Sequence, residues 1–222
     1  KPFLRYYRQL DSILGKVLDR VEKDEDTSLM VLSDHGFCSV KKEVYVNHYL
    51  KEQGLLKFRK DVPESHEDIH PGSTAFSFDP GRLYVNLQGR EPEGSVSPGE
   101  GYESALDELT SLMLDLRDTE DGSRVVDEVL RGDELFHGPQ TPRGPDLVAV
   151  PKDGYDLKGP LHRDSLFVKD KLLGMHTYTN AFMAIRDEKI RADDPEVMDG
   201  FPTVLELMGE EVPEGTDGRS VL

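Results

Sequence analysis

The spacing of apolar residues predicts helices at the start, in the middle and near the end of the chain. At the start, the apolar positions recur every three or four residues and form one helix face: Tyr7, Leu10, Leu14, Val17 and Val21. Residues 102–117 have the same spacing. A short helix is expected to begin at Asn47 as its N-cap and to stop at Gly54. Another is expected over residues 202–208, with Pro202 in its first turn.

Short continuous apolar runs predict strands. Residues 29–32 follow the first helix directly, and such a run is typical of a strand buried on both faces of a parallel sheet. Residues 147–150 and 181–185 are similar runs. Since strands alternate with helices, the fold class is predicted to be α/β.

Glycine and proline positions divide the chain further. Residues 75–78 and 82–87 are strand-like runs on either side of Asp79-Pro80-Gly81, which is a hairpin pattern. Long polar loops flank this hairpin. We therefore predict an inserted or appended subdomain at 59–144, with the α/β core formed by 1–58 and 145–222.

Composition removes several functional classes. The 222 residues include 27 Lys and Arg against 44 Asp and Glu, a net charge of −17, which opposes sequence-independent nucleic-acid binding. Residues 1–60 carry 12 basic and 9 acidic residues, so the acidic excess lies in the remainder. Cys38 is the single cysteine, which excludes an internal disulfide and a Cys-rich zinc site. No apolar run has membrane-spanning length, and we expect a cytoplasmic location.

Asp34 and His35 are the first candidates for chemistry. They follow the predicted strand at 29–32, and a carboxylate beside an imidazole can hold one cation. Neighbouring residues on a straight strand point to opposite faces, so the chain must bend here, and Gly36 allows that. The alternative is an ordinary turn in which Asp34 caps backbone N–H groups.

His176 is the second candidate, because it lies in a Gly-Met-His-Thr segment just before a predicted strand. The alternative is a solvated or packed loop histidine. The remaining polar candidates are weaker: Ser33, Cys38, His48, His66, His70, His137, His162 and Thr177. We expect ordinary surface, packing or turn roles for them, with a contribution of His66 or His70 to the site as the alternative.

Several segments, in order, resemble one family over nearly the whole chain. They are Tyr7-Arg8-Gln9-Leu10-Asp11 with Leu14-Gly15, Val31-Leu32-Ser33-Asp34-His35-Gly36-Phe37, residues 83–94, Gly174-Met175-His176, and Phe201-Pro202-Thr203-Val204-Leu205 leading to Val212-Pro213 and Asp217-Gly218-Arg219. The chain resembles the alkaline phosphatase superfamily. Within it, the chain is most similar to the carboxyl-terminal part of the predicted phosphohydrolase/phosphomutase branch, near the type I phosphodiesterases/nucleotide pyrophosphatases.

The resemblance implies a mostly parallel central sheet flanked by helices and a site for two divalent metal ions, zinc or else manganese. Asp34 and His35 match ligands of one ion, and His176 matches a ligand of the other. A Thr or Ser nucleophile attacks phosphorus in this superfamily. The implied activity is hydrolysis of phosphate mono- or diesters, with a small phosphate ester as the substrate and no nucleic-acid polymer or membrane segment involved.

The chain departs from that pattern in one respect. The superfamily's nucleophile, its first Asp ligand and its Asp-x-x-x-His pair are expected before the first helix, where this chain offers no match. Asp61 to His66 is one residue too long for that pair. We therefore expect a fragment that is inactive alone, with its nucleophile upstream of Lys1.

Other interpretations remain open. One is a non-catalytic metal- or partner-binding α/β module, and another is an unrelated acidic protein. Mutase, sulfatase and phosphoethanolamine-transferase chemistry are also open within the superfamily. An unpaired edge of the strand at 29–32 would favour a homo-oligomer.

Overall fold

In a computed structural model of the chain, the described residues are 2–24, 26–169, 171–186, 190–192 and 194–222. They form two compact units. The first unit is residues 1–36 with 179–222, and the second is residues 37–178. The division predicted from the sequence, with 59–144 as a subdomain, stays a prediction.

The helices of the described residues are α1 (Pro2–Val21), α2 (Val46–Glu52), α3 (Glu100–Asp115), α4 (Gly132–Leu135) and α5 (Gly200–Met208). The strands are β1 (Met30–Leu32), β2 (Gly36–Ser39), β3 (Lys42–Tyr45), β4 (Ala75–Phe78), β5 (Arg82–Val85), β6 (Val126–Arg131), β7 (Leu147–Pro151), β8 (Tyr155–Lys158), β9 (Phe167–Val168), β10 (Gly174–Thr177) and β11 (Met183–Ile185). Single turns of 3₁₀ helix occur at His66–Asp68, Thr141–Arg143 and Val197–Asp199.

The first unit contains α1, α5 and an antiparallel pair in which Met30 of β1 lies opposite Ile185 of β11. The helix predicted at the chain start is confirmed. Its apolar face is nevertheless exposed along most of its length, and Val21 is the buried exception among the five predicted face residues. The strand predicted at 29–32 is also confirmed, although it is only half-buried.

The second unit contains the main hydrophobic core. Its four-stranded sheet has the order β4-β5-β7-β6, and α3 packs on it through Leu106, Leu109 and Met113, which are buried. The predicted hairpin is confirmed as β4 and β5, with Phe76 opposite Tyr84. The helix predicted at 102–117 is confirmed as α3.

Smaller sheets complete the second unit. β3 pairs in parallel with β8 and antiparallel with β9, and β2 lies beside β10. The helix predicted near Asn47 is confirmed as α2, but the predicted N-cap is wrong. Tyr45 is the N-cap, and buried Asn47 lies inside the helix, where its side chain binds both backbone groups of Ser77 in β4. Gly54 has a φ of 77° after the helix end, as the predicted stop requires.

The fold is mixed α/β with several small sheets, as the class predicts, but the described strands do not form a mostly parallel central sheet. Where the register is described, β3 with β8 is the parallel strand pair. A continuous apolar run indicates burial on both faces and does not determine strand direction. The run at 147–150 became β7, which lies antiparallel to both β5 and β6. Short connections such as Asp79-Pro80-Gly81 can only join antiparallel neighbours.

Within the described residues, no helix combines the length and apolar character that crossing a membrane requires.

Candidate functional site

Asp34 and His35 lie just beyond the end of β1, where the chain leaves the strand. Asp34 Oδ1 is 3.4 Å from His35 Nε2, with the two side chains 75% and 38% exposed. The bend predicted from the sequence is therefore present, since side chains on a straight strand would diverge. The pair is accessible to a ligand from solvent.

A backbone carbonyl orients the His35 ring. His35 Nδ1 lies 2.8 Å from the Gly36 carbonyl oxygen, which can only accept, so Nδ1 carries the proton and donates it. In the neutral ring, the lone pair of Nε2 then lies toward the Asp34 carboxylate. At a separation of 3.4 Å, the Nε2 lone pair and the Asp34 Oδ1 oxygen can both bind one cation. Histidines that bind metals commonly donate their second ring N–H to a carbonyl in this way.

The Asp34–His35 pair fits two corners of a zinc site. Ligand atoms about 2.1 Å from a zinc ion lie roughly 3.4 Å apart along a tetrahedral edge. The donor set, one carboxylate oxygen and one imidazole nitrogen, also suits zinc. A complete site is not formed by the described residues, because they contain no group of three or more His, Cys, Asp or Glu side chains that could hold a metal ion.

His176 lies in the second unit, on β10. The sequence placed it before a strand, whereas it is within one, and its side chain is exposed. Its ring centroid is 6.3 Å from that of Phe37 on β2, at an interplanar angle of 50°. Gly174 makes room for this contact, because a Cβ there would lie 2.3 Å from the Phe37 ring. Phe37 directly follows the Asp-His-Gly motif, but its place in the chain gave no sign of the contact with His176.

The weaker candidates are dispersed through the structure. His66 packs on Phe76 and Phe78, and burial lowers its pKa. His48 Nδ1 lies 2.8 Å from the Arg163 carbonyl oxygen. His162 forms an exposed pair with Asp164, at 3.6 Å between Nε2 and Oδ1. Cys38 is a partly buried free thiol on β2. In the contacts just described, His66, His48 and His162 are held by residues other than Asp34, His35 and His176.

Comparison with known proteins yields a family match. The model of a family described as type I phosphodiesterase / nucleotide pyrophosphatase matches residues 2–179. The matched segment includes Asp34, His35 and His176. A search of curated proteins gave no match.

Proposed function

The chain belongs to the type I phosphodiesterase/nucleotide pyrophosphatase family, within the alkaline phosphatase superfamily, and we propose that it serves in metal-dependent hydrolysis of phosphate mono- or diesters. The observation that carries this proposal is the Asp34–His35 pair. Its two donor atoms lie a tetrahedral edge apart, within the segment that matches the family.

The proposal gives each candidate residue a role. Asp34 Oδ1 and His35 Nε2 would hold one divalent ion, and His176 would contribute a ligand to a second. Zinc is the first choice for both ions and manganese the alternative. Such ions, when bound, would supply positive charge that stabilises a phosphate ester during hydrolysis.

The remaining parts of the site are proposed to lie outside these 222 residues. They are a Thr or Ser nucleophile and the further metal ligands of the superfamily. A catalytic zinc commonly has three protein ligands, so two ligands alone bind it weakly. The chain by itself is therefore proposed to bind metal without catalysing turnover.

Zinc titration of the chain tests the metal role of the pair. We expect the wild-type chain to bind Zn²⁺ measurably by calorimetry, and Asp34→Asn or His35→Gln to weaken binding at least about tenfold. His162→Gln is the matched control, because it removes a second, exposed His–Asp pair of similar spacing. Equal weakening by His162→Gln and His35→Gln would indicate adventitious binding and overturn the assignment.

An activity assay tests the reaction class. Aryl phosphate mono- and diesters, with Zn²⁺ or Mn²⁺ added, are expected to remain intact with this chain alone. Hydrolysis is expected from a longer form that includes the nucleophile, and it should be lost in its Asp34→Asn variant. Hydrolysis that survives both Asp34→Asn and His35→Gln contradicts the proposal.

A non-catalytic metal- or partner-binding module is the second candidate. It is favoured by the lack of a three-ligand group among the described residues. Zinc binding by a longer form that hydrolyses neither type of ester would support this candidate over the first.

A further inference from the structure

The hydrogen bonding between β1 and β11 changes character at Ser33, the residue before the Asp34–His35 pair. Leu29 and Arg186 are joined by a regular backbone bond of 2.9 Å, and Ser33 lies opposite Phe182 in the same register. The Ser33 amide donates to the Phe182 carbonyl at 2.9 Å, as a regular antiparallel pair requires.

The second hydrogen bond of this residue pair, which the Phe182 amide donates, is different. In a regular pair, the Phe182 amide would donate to the carbonyl oxygen of Ser33. It donates instead to the side-chain hydroxyl, at 3.0 Å from N to Oγ. The hydroxyl thus takes the position of the backbone acceptor, and the peptide between Ser33 and Asp34 is no longer held in the ladder.

The replacement of the Ser33 carbonyl by its hydroxyl as the hydrogen-bond acceptor explains why the chain bends before Asp34. If the Ser33 carbonyl stayed in the ladder, the strand would continue and the side chains of Asp34 and His35 would point to opposite faces. The observed 3.4 Å between Asp34 Oδ1 and His35 Nε2 requires the chain to leave the strand at this point. Serine and threonine both place a hydroxyl acceptor on the Cβ atom, as Ser33 does here.

We infer that Ser33 is a positioning residue, whose hydroxyl ends the β1–β11 ladder and thereby brings Asp34 and His35 together as a pair of metal ligands. The ligand role rests on the proposed function. The positioning of the two side chains can be measured without metal.

The test compares Ser33→Ala with Ser33→Thr in the full 222-residue chain. Alanine removes the hydroxyl acceptor, so the Phe182 amide can return to the backbone carbonyl and the pair should separate. Threonine keeps the hydroxyl and should restore wild-type behaviour. Thr27→Ala is the matched control, since it removes a hydroxyl of the same unit that donates to the exposed Asp24 carboxylate, at 2.9 Å.

Two measurements separate this inference from the proposed function. Without metal, we expect Ser33→Ala to shift the NMR signals of the His35 ring and the Phe182 amide, and Ser33→Thr and Thr27→Ala to leave them unchanged. With Zn²⁺, Ser33→Ala is expected to bind about 10–100-fold more weakly, with recovery in Ser33→Thr.

The outcomes are distinct. If the wild-type chain binds no Zn²⁺, the proposed function fails, while the metal-free spectra still decide the positioning role. Unchanged His35 and Phe182 signals in Ser33→Ala overturn the positioning role. Wild-type zinc affinity in Ser33→Ala also overturns it, even when the zinc site itself is supported.

Discussion

At the residue scale, the arrangement of the candidate residues depends on two kinds of contact, one local and one between distant segments of the chain. Asp34 and His35 are adjacent in the chain, so their proximity follows from local geometry once the strand ends. The role inferred for Ser33 depends on Phe182, which is 149 positions away, and the Phe37–His176 contact joins two strands distant in the sequence. Such contacts are set by strand pairing, and no local pattern contains that information.

Gly174→Ala tests the contact between Phe37 and His176. The new Cβ would lie 2.3 Å from the far end of the Phe37 ring, so the ring must rotate away. We expect the His176 ring protons to lose the ring-current shift from Phe37, while overall stability changes by less than about 1 kcal/mol, because an exposed side chain can move. NMR of the histidine ring protons measures the shift.

Phe37→Leu is the companion variant, since it removes the aromatic ring without adding a methyl group at Gly174. Both variants are expected to move the His176 signals in the same direction. If Gly174→Ala leaves these signals at their wild-type positions, the packing of Phe37 on His176 is refuted.

At the element scale, the apolar spacing predicted α3, β4, β5 and β7 because each of them buries side chains in the core of its own unit. It missed β3 and β8, which contain charged residues held by ion pairs and hydrogen bonds. Asp156 and Lys158 of β8 pair with each other, and Tyr45 donates to Glu43 within β3. Lys42 and Glu43 on β3 are both buried, and Lys42 Nζ lies 2.5 Å from Asp118 Oδ1. A charged residue in a strand predicts exposure, unless its partner is already known.

Lys42→Met tests how much the ion pair between Lys42 and Asp118 contributes to the stability of the fold. Asp118, in the loop after α3, also accepts a hydrogen bond of 2.9 Å from the Tyr155 hydroxyl on β8, so it joins the loop to two strands. Removing Lys42 takes away the nearer of two cations, since Lys41 Nζ lies 3.8 Å from Asp118 Oδ2. We expect a loss of about 3 kcal/mol in the free energy of unfolding. Urea denaturation measures it.

Lys152→Met is the matched control, because Lys152 pairs with Asp127 at 2.8 Å on the surface. It should change stability little, as exposed pairs do. Adding Asp118→Asn to Lys42→Met is expected to restore part of the loss. A cost for Lys42→Met no larger than that for Lys152→Met would show that the buried pair is unimportant.

The buried Asp118 carboxylate predicts that the free energy of unfolding depends on pH. Burial alone would raise the pKa of Asp118, but hydrogen bonds from Lys42, from the Glu120 amide and from Tyr155 outweigh it, so the pKa lies below its ordinary value of 3.8. A lowered pKa in the folded state contributes stability at pH values above 3.8, which is lost as the pH falls through the folded-state pKa. Urea denaturation between pH 7 and 2.5 should therefore show wild-type stability falling in acid, and a smaller fall in Asp118→Asn. Equal acid slopes would contradict the assignment.

At the scale of the whole molecule, the buried apolar side chains are unevenly divided between the two units. The core cluster lies entirely within the second unit, from Val44 to Leu157. The first unit buries few apolar side chains and exposes many, including most of the predicted face of α1. Apolar spacing predicted that α1 is an amphipathic helix, but spacing alone cannot tell whether a partner covers its face.

Hydrogen exchange should reveal this uneven burial when the protection of backbone amides in α1 is compared with that in α3. The two helices are similar in length, at 20 and 16 residues. α3 is held by four buried side chains, whereas Val21 is the buried apolar residue of α1. Local opening free energies follow such packing, so we expect amides in α1 to exchange at least about 100-fold faster than those in α3. Equal protection of the two helices at low protein concentration contradicts this expectation. Protein concentration is a second variable of the experiment. If a second copy covers the α1 face, protection of α1 must rise with protein concentration while that of α3 stays constant.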